Sequence, residues 1–191
     1  MTDSARKQEL LDAAYTYALG TGLADLSLRP LATEIGSSPR VLLFLFGSKE
    51  GLVRALLAKA REEELRYLAA LREASGGGDL SATGRDVWEW LARPEHRALF
   101  SLWVEGYARS LLGEPGPWAD FGRDTVRDWL DLLAERQATR PPGAAADAAV
   151  DAEAERTLLL AVLRGALLDL IATGDTDRVT AAVHRHLDTL G

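Results

Sequence analysis

Helix-stopping and helix-starting residues punctuate the first sixty positions at short intervals, and this punctuation constrains the fold more than any other feature. Leu10, Leu11, Ala14, Tyr17 and Ala18 recur at i, i+3, i+4, i+7 spacing, which predicts an amphipathic helix over 4–19. Ser4 is placed to cap it, and Gly20 with Gly22 ends it. Ser27 is placed to cap a short second helix that runs to Ile35, with Pro30 inside the tolerant first turn, and Gly36 stops it. Ser38-Pro39 opens a third helix, because proline at the first helical position loses no needed N–H. Gly47 breaks that helix, and Ser48 caps a long fourth from Lys49 to about Arg72. The run Val41-Leu42-Leu43-Phe44-Leu45-Phe46 would also suit a buried strand or a protein-binding patch. The serines on either side and the glycine after it favour the helix.

Composition extends the helical reading to the whole chain. Leucine (34) and alanine (31) together outnumber valine (9) and isoleucine (2) several-fold, and the first pair favours helices while the second favours strands. Further helices are expected at about 82–92, 95–112, 117–138, 152–173 and 176–190, giving an all-α chain of about nine helices. Interruptions at 75–79 (Ser-Gly-Gly-Gly-Asp) and 139–149 separate them and read as flexible loops. The stretch 158–171 is apolar almost all round and should be covered on both sides. It is either the central helix of a monomer or a helix shared between its own core and a partner. A mid-sized helical domain has few ways to surround a helix, which favours the partner.

Several function classes are excluded by what is missing. Without cysteine there is no disulfide framework, thiol nucleophile or cysteine-held metal. His184 and His186 are two residues apart, on different helix faces, and His96 is remote, so no metal site is expected. Gly76-Gly77-Gly78 and Gly47-Ser48-Lys49 lack the remainder of a phosphate loop, and no Gly-x-Ser-x-Gly elbow occurs. Glu62-Glu63-Glu64 reads as a solvated helix face. No catalytic residue and no cofactor are expected. The longest apolar runs are six residues, too short for a membrane span, and no signal core opens the sequence, so a cytoplasmic protein without membrane attachment is expected.

Three helices, with a glycine-containing turn of about four residues between the second and third, describe a helix-turn-helix unit. The residues carrying the pattern are Ala13-Ala14, Gly22, the run 27–32 (Ser-x-x-x-Leu-Ala), Gly36-Ser37-Ser38, Phe46, and Gly47-Ser48-Lys49-Glu50-Gly51-Leu52. On these residues, over about 6–58, the chain resembles the TetR family of bacterial transcriptional regulators. The resemblance implies a DNA-binding domain at 1–50 and a ligand-binding and dimerisation domain at 51–191. It implies a homodimeric, ligand-responsive regulator, in the sense of a repressor, on a palindromic double-stranded operator. The dimer would form through the helices at about 152–173 and 176–190, or 117–138. The alternative is a dimer of this kind that has lost specific DNA binding and serves as a small-molecule or protein-interaction module.

A recognition helix needs small or polar residues and a forked donor at its N-terminal end. Ser37, Ser38, Pro39, Arg40 and Val41 occupy those positions, with Phe44 one turn further on. Arg40 is suited to a guanine edge; by resemblance Arg29 would reach a base or phosphate and Lys49 the DNA backbone. Leu31, Ile35, Leu42 and Phe46 should form the small core. Where the family commonly has Leu-Tyr-(Tyr/His)-His-Phe, this chain has Leu42-Leu43-Phe44-Leu45-Phe46, which removes phosphate-bonding side chains. Residues 1–60 carry 7 basic and 6 acidic groups, and the remainder 15 and 23. The net charge of −7 therefore resolves into a near-neutral reading unit and an acidic body, and DNA binding is expected to depend only shallowly on salt.

Aromatic residues concentrate between 88 and 129. Phe100, Trp103 and Tyr107 share one helical stripe, and Trp88, Phe121 and Trp129 belong to the same segment. In the family such helices hold a small-molecule pocket, so these six are the candidate contacts of a small hydrophobic or aromatic effector; the alternative is that the rings simply fill core.

Overall fold

A computed structural model describes residues 3–24, 26–73, 79–113, 115–137 and 146–190, and the statements below concern these. They form nine α-helices and one 3-10 turn, without strands: α1 (Asp3–Thr21), α2 (Leu28–Glu34), α3 (Pro39–Phe46), α4 (Lys49–Glu73), α5 (Leu80–Leu91), the 3-10 turn (Pro94–His96), α6 (Arg97–Leu111), α7 (Phe121–Arg136), α8 (Ala146–Thr173) and α9 (Thr176–Leu187). The all-α expectation holds. Residues 74–78 and 138–145, which carry most of the two expected flexible interruptions, lie outside the described residues. Asp79 caps α5 through a bond from the Ala82 N–H, and α8 begins at Ala146, six residues earlier than the expected start at about 152.

The chain divides into two compact units, one comprising 1–65 with 98–123 and the other 66–97 with 124–191. In the first, Leu10, Ala14 and Ala18 of α1, Leu31 of α2, Leu42 of α3 and Leu52, Leu56 and Leu57 of α4 are buried together with Leu102 and Trp103 of α6. The boundaries follow local chemistry. Gly36 (φ +63°) turns the chain between α2 and α3, and Gly47 (φ +80°) ends α3, both in the left-handed region that other residues rarely enter. Ser38 Oγ accepts the Val41 N–H and Ser48 Oγ the Gly51 N–H, which satisfies orphan donors at the starts of α3 and α4. A Cβ at Gly51 would stand 2.1 Å from the Phe46 carbonyl oxygen, so only glycine lets α4 begin this close to the end of α3.

Two local expectations differ. Ser27 occupies the N-cap position of α2 in extended conformation but makes no side-chain cap, and Ser4 lies inside α1 rather than before it. The acidic run in α4 is not a uniformly solvated face. Glu62 is exposed, but Glu63 accepts a bond from the Tyr15 hydroxyl at 2.9 Å and Glu64 is buried. Three consecutive residues of a helix span 200° of its circumference and cannot all face water when the helix packs on one side.

In the second unit α5 packs against α8 and α9. Gly84 leaves space that a Cβ would take from Leu187 (2.5 Å) and Leu159 (3.2 Å). Trp88 Nε1 donates to Thr180 Oγ1 at 3.0 Å, and Ser81 Oγ donates to the Leu187 carbonyl at 2.9 Å. Only one face of α8 is covered: Leu159, Leu160, Leu163, Leu167 and Leu170 are buried, whereas Leu158, Ala161, Gly165, Leu168 and Ala172 are exposed. Spacing of 3, 4, 3, 4 makes the exposed set a continuous stripe of the kind that seats a second helix.

Candidate nucleic-acid interface

The candidate interface starts from the amphipathicity of an eight-residue helix. Leu42, buried, and Phe46, half-buried, hold α3 to its unit, and the Lys7 ammonium lies 5.3 Å from the Phe46 ring centroid. At 100° per residue, Arg40 and Phe44 then share the opposite ridge, flanked by Val41 and Leu43. All four are exposed, Phe44 at 76 %. Ile35 of the expected small core is half-buried beside the fully buried Leu31.

The remaining predicted residues distribute around this ridge. Arg29 is exposed as the second residue of α2, and Lys49 is exposed as the first of α4. Among the described residues Arg29, Arg40 and Lys49 make no ion pair, whereas Arg6 pairs with Glu9 at 2.8 Å and Lys59 with Asp12 at 2.8 Å. The Lys59 bond holds the Asp12 carboxyl below its ordinary range. Glu50 is also held low, first by its own backbone N–H and then by Ser48, so it stays ionised next to Lys49. Pro39 and Ser38 are half-buried at the start of α3; Ser37 is half-buried too, its hydroxyl oxygen shielded and without a hydrogen-bond partner.

The six aromatic candidates fall into two groups. In the first unit Phe100, Trp103 and Phe121 are buried and Tyr107 half-buried. Trp103 stacks on Tyr107 (centroids 4.8 Å apart) and meets Phe121 edge-on at 6.4 Å. Trp103 Nε1 is buried without a hydrogen-bond partner. Trp88 and Trp129 are buried in the second unit, where Trp129 lies 6.4 Å from Trp90, itself stacked on Tyr67 at 4.0 Å.

Glu105 is a residue whose importance the sequence did not announce. Placed between Trp103 and Tyr107 on α6, its Oε2 accepts the Leu23 N–H at 2.7 Å, in the segment that leads into α2. The partners are 82 positions apart, so no local pattern could have found the pair. Beside it a cavity of about 230 Å³ is lined by Leu23, Lys49, Val53, Arg109 and Trp118 among others, with the Arg109 guanidinium 4.9 Å from the Trp118 ring centroid. Among the described residues no group of three His, Asp or Glu could hold a metal, and no helix is long and apolar enough to cross a membrane.

No family model matches the sequence, and no curated protein matches it. Solved structures do match the fold along almost the whole chain. A protein of Rhodococcus sp. described as a TetR-family transcriptional regulator is 20 % identical, with a TM-score of 0.65 over 100 % of this chain and 99 % of that one. The multidrug binding protein EbrR complexed with imidazole is 26 % identical, with a TM-score of 0.64 over 95 % and 89 % of the two chains. EbrR complexed with proflavin gives 23 %, 0.60, 94 % and 98 %.

Proposed function

We propose, for a chain that has the fold of the TetR-family transcriptional regulators, that it is a homodimeric, ligand-responsive DNA-binding regulator acting as a repressor on a palindromic operator. The observation that carries this is the α3 ridge: a short capped helix, held by Leu42 and Phe46, presents Arg40 and Phe44 outward, and among the described residues the guanidinium makes no ion pair. In this reading Arg40 bonds a guanine edge, and Arg29 and Lys49 contact phosphates while Ser38, Pro39 and Val41 fit the groove wall. The domain division at 1–50 and 51–191 belongs to the same proposal.

Dimerisation is assigned to the exposed stripe of α8 with α9 alongside it. Paired across a two-fold axis, the two stripes would form a four-helix interface and set the distance between the two reading helices. The effector is assigned to the first-unit rings Phe100, Trp103, Tyr107 and Phe121, where the open Trp103 N–H offers a donor to a ligand acceptor. EbrR, of the same fold, has been solved with proflavin and with imidazole, which supports a small-molecule effector. Glu105, on the same helix as three of those rings, ties α6 to the segment that leads into α2. An effector that moves α6 would shift the population between DNA-competent and incompetent spacings.

Electrophoretic mobility shift against the DNA upstream of its own gene tests the proposal. A specific complex that tolerates excess unrelated DNA supports it; absence of any specific complex at low salt overturns it in favour of a binding module without DNA activity.

A further inference from the structure

We infer that the exposed apolar residues of α3 read thymine methyl groups, with Phe44 as the specificity-determining contact. The inference rests on the DNA-reading proposal and adds the chemistry of a second base pair to it. Phe44 is 76 % exposed, the most exposed large hydrophobic side chain among the described residues, and no ring or cation contact is made to it. A bare phenyl ring on the solvent face of a short helix is costly in water, and it gains nothing from phosphate, to which it offers no donor. In the major groove one base edge is apolar: the C5 methyl of thymine, a surface that Phe can contact.

The neighbours narrow the occupant. Arg40 lies one turn before Phe44 on the same ridge, and Val41 and Leu43 border it, so the ridge offers one charged fork and an apolar patch rather than a purely apolar face. A protein partner would have to leave the Arg40 guanidinium desolvated or supply a carboxylate for it. A guanine edge takes it bidentately, and the adjacent base steps remain for the apolar patch. Four residues of helix advance about 6 Å along the axis. With base pairs about 3.4 Å apart, the methyl read by Phe44 lies one or two steps from the guanine read by Arg40. The same patch accounts for Leu43 in place of a phosphate-bonding side chain: affinity taken from methyl burial needs less from the DNA backbone.

The test uses the full-length protein and an operator obtained by in vitro selection from random duplexes. Each thymine of that operator is replaced in turn by deoxyuridine, which removes the methyl and leaves every hydrogen-bonding edge intact. We expect one position per half-site, one or two steps from an Arg40-dependent guanine, where the change weakens binding about fourfold, the effect of burying one methyl group. Changing both half-sites should weaken it about sixteenfold. F44A should lose this sensitivity while keeping its guanine requirement, and F44L should retain most of it; both sit on the surface, and circular dichroism checks their folding. A selected operator that binds equally well with deoxyuridine at every thymine overturns the inference and leaves the regulator reading standing. Failure to select any sequence overturns both.

Discussion

The substitution Leu168→Glu probes the proposed dimer most directly. Leu158 and Leu168 keep 54 % and 48 % of their surface in a single chain, on the uncovered stripe of α8. Full burial of a leucine side chain is worth about 1.5–3 kcal/mol, so covering the open half of Leu168 contributes about 1 kcal/mol per protomer. The substitution acts twice in a symmetric dimer. The lost transfer energy alone is about 2 kcal/mol, a rise of about thirtyfold in the dissociation constant. Two carboxylates brought near a two-fold axis, partly desolvated and mutually repelling, increase it further. Sedimentation equilibrium over a concentration series reads the constant, and far-ultraviolet circular dichroism confirms that the variant stays helical. Leu112, exposed to 74 % just after the first unit's α6, provides the control, since Leu112→Glu should leave self-association unchanged. A folded Leu168→Glu variant that dimerises as tightly as the parent refutes the assignment of this face.

Other expectations follow from named contacts. Arg40→Ala should flatten the preference at one base pair per half-site by about 1–3 kcal/mol, read by competition binding against single-base variants. Leu43→Tyr with Leu45→His should raise DNA affinity and steepen its salt dependence, because each added phosphate contact adds to the slope; an unchanged slope would mean these positions face away from the backbone. Glu105→Ala strands the Leu23 N–H in a buried segment and should cost about 1–3 kcal/mol in denaturant unfolding. Gly51→Ala, with its Cβ 2.1 Å from the Phe46 carbonyl oxygen, should cost about the same, as overpacking does. Asp169 is held below the ordinary carboxylate value by its bond to Arg178, 2.9 Å away. A depressed carboxyl contributes stability above its unfolded value near pH 3.8, and loses it as pH falls through the lower folded value. In Arg178→Ala that acid-side sensitivity should diminish in thermal melts between neutral pH and the acid limb.

Much of the fold was legible because its signals are local. Gly36, Gly47, Ser38 and Ser48 act within one turn of themselves, so the boundaries of α2, α3 and the start of α4 could be read from adjacent residues. The amphipathic spacing of Leu42 and Phe46 likewise set which side of α3 would be left exposed. The cap at Ser27 failed because a serine before a helix can bond solvent instead, and nothing nearby decides between them. Glu64 departs from the solvated pattern for a related reason: charge predicts a solvated position, but helix phase against a packed neighbour overrides it.

What the sequence by itself determined is therefore the helical class, the helix-turn-helix unit, the residues of the exposed ridge of α3 and the uneven distribution of charge. Each depends on propensity, capping or period, which act over a few residues. Only the tertiary structure decided that one face of α8 is covered and the other open, that the aromatic residues divide between two clusters, and that Glu105 holds Leu23. These depend on which helices pack together. Burial and long-range hydrogen bonds join residues far apart in the chain, and no local pattern carries that information.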